Sequence, residues 1–270
     1  MIEIKRILTK FDSLMGNKDF DEAERLLTYW IEECEAKGDL RNRFTLLNEL
    51  VGFYRMRNDR ASGVKACKTL LENVESMDLA DKVSGATAYI NVATAYKSFG
   101  YVENSIPLYE KAKAIYERDL EEKDDRLPAL YNNMALALME YSLITPEINA
   151  SGKQKDNDLI GKSGSEVNII SAQEYFEKAL NLLKRMESAE NEQAITYLNM
   201  SDLAYAKLGP EASESIIEEY VEKAFKLLEK SHADKNPDFR MTAEKCIPVI
   251  RHYGYFAMAN DLQEMIKVNM

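Results

Sequence analysis

Residues 89–112 read YINVATAYKSFGYVENSIPLYEKA. Tyr89, Val92, Ala93 and Tyr96 fall at i, i+3, i+4 and i+7, the spacing of one face of an α-helix. The stretch has two relatives in the same chain. Tyr131-Asn132-Asn133-Met134-Ala135 and Tyr197-Leu198-Asn199-Met200-Ser201 repeat the opening as tyrosine, any residue, asparagine, long aliphatic, small. The closing phrase Ser105…Tyr109-Glu110-Lys111-Ala112 returns as Ala172…Phe176-Glu177-Lys178-Ala179 and as Ile217…Val221-Glu222-Lys223-Ala224. Upstream, Leu50-Val51 with Tyr54 and then Gly63, Cys67 and Leu70 keep the register, as do Ala23, Leu27 and Trp30 before them. Downstream, Cys246-Ile247 with Ile250 leads to Ala259.

The anchors of the closing phrase, small in all but one repeat, are Ala23, Gly63, Ser105, Ala172, Ile217 and Ala259, spaced by 40, 42, 67, 45 and 42 residues. The one long interval is a period plus an insert of about 25 residues. Six repeats therefore fill the chain as a single domain over residues 1–270. A loop inserted at about 143–166 falls between the two helices of the fourth repeat. Loops of that length are functional or unstructured, and this one reads as a surface excursion or a flap.

Composition agrees. Gly and Pro number 11 and 6 in 270 residues, about half the usual share. A sandwich or barrel of short strands needs far more turn residues. The formal charge of −11 gives no phosphate-neutralising term, so neither nucleic acid nor an anionic membrane is an expected partner. Cys34, Cys67 and Cys246 form no close pair and read as reduced thiols, and the first residues lack a secretory apolar run. Both point to a cytoplasmic protein.

The two recurring phrases resemble the tetratricopeptide repeat, a helix–turn–helix unit with an aromatic and small residues on its first helix and alanine, aromatic and alanine on its second. Repeats three to five carry the pattern best; the first keeps only Lys18-Asp19-Phe20-Asp21-Glu22-Ala23, and the sixth holds Pro248 in its first helix. The resemblance implies an all-α fold, a right-handed superhelical solenoid of about twelve helices, with a peptide-binding groove lined by the first helices. A period near 42 rather than about 34 residues implies longer helices.

Signals of chemistry are sparse. Gly161-Lys162-Ser163 echoes the end of a phosphate loop, but the required earlier glycine is Asp156. Histidine occurs only at 232 and 252, no Cys or His spacing suits zinc, and Asn149-Ala150-Ser151 is a sequon in letters alone. We expect no catalytic residue, metal or cofactor. The informative residues are Asn91, Asn133 and Asn199 at one register. Asparagine costs a helix interior about 0.6 kcal/mol against alanine, so its recurrence asks for a use. Asn91 lies about 200° from Tyr89 around the helix, on a stripe with Thr87 and Thr94. A primary amide matches the N–H and C=O of an extended peptide; the competing use is a bridge between neighbouring helices. The equivalent stripes add Arg55, Lys97, Asp202, Lys245, Arg251 and His252, with basic residues towards both ends. The places of a chaperone-type carboxylate clamp hold Gly52 and Ala129 instead. The expected function is a protein- or peptide-binding adaptor. A self-assembling homo-oligomer and a peptide-sensing regulator without a DNA-binding domain are the alternatives.

Overall fold

A computed structural model describes residues 3–150 and 164–268, with side chains of 3–143 and 168–267. The described residues are all-α, and the chain divides into two compact units, residues 1–120 and 121–270. The first unit comprises α1 (Ile4–Gly16), α2 (Phe20–Ala36), α3 (Leu40–Arg57), α4 (Arg60–Ser76), α5 (Val83–Ser98) and α6 (Val102–Asp119). The second comprises α7 (Arg126–Ala150), α8 (Gly164–Leu183), α9 (Glu190–Ala233), α10 (Phe239–His252) and α11 (Phe256–Val268). Helix α9 is two rods. Its backbone breaks at Gly209, with φ 77° and ψ 175°, a conformation open to glycine alone at no steric cost. Pro210 then starts the next rod, where a missing N–H costs nothing. Counting 190–208 and 210–233 separately, each unit holds three helix pairs.

Every anchor lies on the second helix of its pair, and each is buried, with exposures of 0% for Ala23, Ser105, Ala172 and Ala259 and 4% for Ile217. Small side chains there let the paired helix approach closely. Tyr89, Tyr131 and Tyr197 are buried at 3%, 7% and 7%, the core fillers that their helical register predicts. The closing phrase also explains its lysine. Lys111, Lys178 and Lys223 each lie over the ring of their own repeat's tyrosine, at 5.5, 5.8 and 5.5 Å from the centroids of Tyr89, Tyr131 and Tyr197. The ammonium meets the negative face of the ring while its methylene stem covers apolar surface.

Scarce glycine does not prevent sharp turns, because other residues take the left-handed conformation. Lys18, Asn58, Asp78, Ser188 and Lys235 all have φ of 53–59°. The amide that follows closes back onto the preceding helix, as in Asp59 N–H to Tyr54 C=O at 3.0 Å and Leu79 N–H to Val74 C=O at 3.0 Å. These bonds satisfy carbonyls that a helix end leaves open. In the first unit, Asp39 and Asp59 then cap the next helix by accepting from the amides of Asn42 and Ser62.

The second unit packs around Phe176, Val221, Leu228, Phe239, Ile250 and Leu262. Its two α9 rods are tied by a buried Ser231 hydroxyl donating to Asn191 Oδ1 at 2.8 Å and by the ion pair of Lys230 with Glu190. The expected insert is narrower than its sequence suggests. Helix runs through Ala150 and resumes at Gly164, and residues 151–163 lie outside the described residues. Helix α10 runs through Pro248.

Candidate functional site

Within each unit the first helices pack against their partner helices and against neighbouring repeats of the same unit, and one stripe stays open. On α5 the half-buried or exposed positions include Ser84, Thr87, Asn91, Thr94 and Ser98, at steps of three and four residues. On α3 they include Thr45, Glu49, Gly52 and Arg55; on α7, Ala129, Asn133, Leu136 and Glu140; on the first α9 rod, Ile195, Asn199, Asp202 and Tyr205. On α10, Met241, Lys245, Pro248 and His252 complete the series. The three asparagines occupy the same half-buried place, neither sealed in the core nor fully solvated.

Their partners differ between the units. In the first, Asn91 Nδ2 donates to Asn48 Oδ1 at 2.8 Å, and Asn48 Nδ2 donates to the Phe44 carbonyl at 2.9 Å. This amide bridges α3 and α5. The Thr87 and Thr94 hydroxyls donate to helix carbonyls of Val83 and Ile90 and lie 2.8 and 3.0 Å from the Tyr116 and Tyr109 hydroxyls of α6. The tyrosines therefore supply the second proton, and both threonines are occupied within their repeat. Glu49 stands 42 residues before Asn91, in the same register. Burial first, and the Asp12 charge second, raise its carboxyl above the ordinary range. Arg55 is exposed, and Lys97 is half-buried.

In the second unit the bridging role passes to the preceding residue. Asn132 Nδ2 donates to Thr196 Oγ1 at 2.9 Å and joins α7 to α9, leaving its own Oδ1 buried and unpaired. Asn133 and Asn199, freed from that task, make no hydrogen bond among the described residues. Two primary amides at one register on adjacent first helices thus keep their donors and acceptors available.

The stripe's charges also depart from the sequence reading of basic ends. Arg251 turns aside to α11, its Nη2 donating to Asn260 Oδ1 at 3.1 Å and Gln263 Oε1 at 2.8 Å. A residue late in α10 faces its own partner helix there, which the stripe assignment did not anticipate. Lys245 and His252 remain exposed. Asp202 accepts a hydrogen bond from the Tyr253 hydroxyl at 2.6 Å. Burial raises its carboxyl above the usual range, against the Tyr253 hydrogen bond and the His252 charge, which pull it down. Tyr205 and Tyr253 sit with ring centroids 6.2 Å apart. Tyr253 does not belong to the predicted set; its place directly after His252 was the only hint.

Burial acts on all three cysteines. Burial pushes the Cys67 and Cys246 thiols up to about 12 and also raises Cys34, so none is a ready thiolate. No group of three or more metal-binding side chains occurs among the described residues, and no described helix is long and apolar enough to cross a membrane.

Nothing matches the sequence in a scan of protein-family models or in a search of curated proteins. Solved structures do match. BtubC (BKLC) from P. vanneervenii superposes with a TM-score of 0.54 at 16% identity, covering 99% of this chain and 91% of that one. A Podosopora anserina protein of nearly identical TPR-like repeats superposes with a TM-score of 0.50 at 16% identity, covering 84% of this chain and 93% of that one. With six helix pairs, buried small-residue anchors and these structural likenesses in place, the chain is by its fold a tetratricopeptide-like repeat protein.

Proposed function

We propose that the chain is a binding protein without catalysis, whose first helices hold an extended segment of a protein partner on their open stripe. The observation that carries this reading is the pair Asn133 and Asn199, equivalent in register, half-buried and unpartnered. Each amide offers one donor and one acceptor to a peptide unit irrespective of its side chain. Neither amide is sealed from water, so a peptide unit that replaces that water gains about 0.5–1.5 kcal/mol per hydrogen bond.

The test is the double variant Asn133→Ala/Asn199→Ala, read by fluorescence anisotropy against labelled extended peptides and by circular dichroism for the fold. Loss of up to four hydrogen bonds of about 0.5–1.5 kcal/mol each predicts at least a tenfold fall in affinity. Alanine improves helix propensity by about 0.6 kcal/mol per site, so the variant is expected to melt no lower than the parent. Unchanged peptide binding, or a variant that unfolds, would overturn the reading.

A further inference from the structure

Beside Asn199 the open stripe of the second unit carries a carboxylate that forms no ion pair among the described residues, although the His252 charge bears on it. Asp202 follows Asn199 by three residues, about 4.5 Å along the helix. One of its oxygens accepts from the Tyr253 hydroxyl; the other has no protein donor among the described residues and is not sealed from solvent. Tyr205, 43% exposed, and Tyr253 set their rings at 56° to one another next to this carboxylate. Two other basic side chains of this unit are engaged elsewhere. Lys207 donates to Gln173 at 2.9 Å, and Arg251 is tied to α11. Residues 121–270 hold 26 Asp and Glu against 17 Lys and Arg, whereas residues 1–120 are near balance at 20 against 18. The excess acid is a property of this unit.

We propose that Asp202, Tyr205 and Tyr253 form a seat for a lysine or arginine side chain of the bound segment, so that the second unit selects a cationic residue next to the peptide unit held by Asn199. This rests on the amide reading above and adds its specificity. A carboxylate fixed by one hydrogen bond is pre-oriented to accept a charge-assisted bond from an ammonium or guanidinium. The two phenol rings offer negative faces to the same cation and cover its methylene stem. An extended chain advances about 3.3 Å per residue, so a cation reaching Asp202 belongs to the first or second residue from the amide-held one. An acidic side chain at that place meets a like charge in a partly desolvated corner and is rejected.

The experiment uses the full chain and four labelled nine-residue peptides of alanine and serine that differ only at the central residue: lysine, arginine, norleucine or glutamate. Anisotropy titrations at low salt are expected to show the lysine and arginine peptides binding at least tenfold tighter than the norleucine peptide, and the glutamate peptide weakest. Asp202→Asn keeps an acceptor for Tyr253 and should bring the lysine-to-norleucine ratio within twofold. Tyr205→Ala removes a largely exposed ring and should reduce the same ratio about threefold. Equal binding of all four peptides to the parent, lost in Asn133→Ala/Asn199→Ala, would overturn the cation seat and leave the amide reading standing. So would a ratio unchanged in Asp202→Asn. Absence of binding by any peptide would overturn both.

Discussion

Gly85 and Gly52 both lie inside helices of the first unit, and one substitution at each should move stability in opposite directions. Replacing a helical glycine by alanine gains about 1 kcal/mol where the new methyl meets nothing. At Gly52 a Cβ finds no atom within 4 Å, so Gly52→Ala should stabilise by about 0.5–1 kcal/mol. At Gly85 the same Cβ would stand 1.9 Å from the Leu79 carbonyl oxygen and 2.8 Å from its carbon. A carbon–oxygen contact needs roughly 3.3 Å, so backbone must move by more than 1 Å. That oxygen also accepts from Lys82 N–H at 3.0 Å, a bond worth about 1 kcal/mol that the shift endangers. Overpacking costs about 1–3 kcal/mol; with the bond added and the helix gain subtracted, Gly85→Ala should destabilise by about 1–3 kcal/mol. For a protein of this size each kcal/mol moves the Tm by about 2–4 °C, giving a fall of roughly 2–12 °C against a rise of roughly 1–4 °C. Thermal melts followed by the fluorescence of Trp30, the single tryptophan, report on the first unit directly, so a separate transition of the second unit does not blur them. A Gly85→Ala variant melting at or above the parent, or two shifts of the same sign, would refute the packing argument.

Three further outcomes are expected. Ser188 is exposed with φ of 57°; Ser188→Gly relieves a left-handed cost of about 1–2 kcal/mol against a glycine entropy cost of about 0.5–1, so urea denaturation should show a small net gain. Asp202 has its carboxyl raised by burial, so the native state holds a proton more tightly than the unfolded chain. Its ionised form therefore lowers stability above the native pKa, and the effect vanishes below the unfolded value of about 4. Asp202→Asn should melt above the parent at pH 7, with the gap closing as pH falls towards 4; a gap that widens on acidification contradicts the assignment. Lys178 lies over both Tyr131 and Tyr175, so Lys178→Gln should cost about 0.5–1 kcal/mol in chemical denaturation, and a neutral result would reduce the recurring lysine to a solvated charge.

The sequence carried the repeat with unusual completeness because its determinants are local. Helical spacing of apolar residues and small anchors such as Ala23 and Ala172 fix which face of each helix is covered, whatever lies against it. The burial of Tyr89, Tyr131 and Tyr197 and the openness of the stripe through Thr87, Asn91 and Thr94 follow from that periodicity alone. The break at Gly209-Pro210 was present in the letters but is only two residues long, too short to interrupt an apolar period.

What polar side chains touch is a different kind of fact. Asn91 and Asn199 share a register, yet the first bonds to Asn48 while the second makes no hydrogen bond among the described residues, where the bridge in the second unit is made by Asn132 and Thr196. Arg251 reads as a stripe residue until α11 supplies Asn260 and Gln263. Asp202 and Tyr253 are 51 residues apart and form a hydrogen bond only because two first helices pack side by side. Periodicity assigns a residue to a face, but the identity of the group across that face depends on the crossing of two helices, and no local pattern encodes it. The sequence by itself thus determined six helix pairs and their covered faces, and tertiary packing alone decided which amides stayed free and where a carboxylate met two tyrosines.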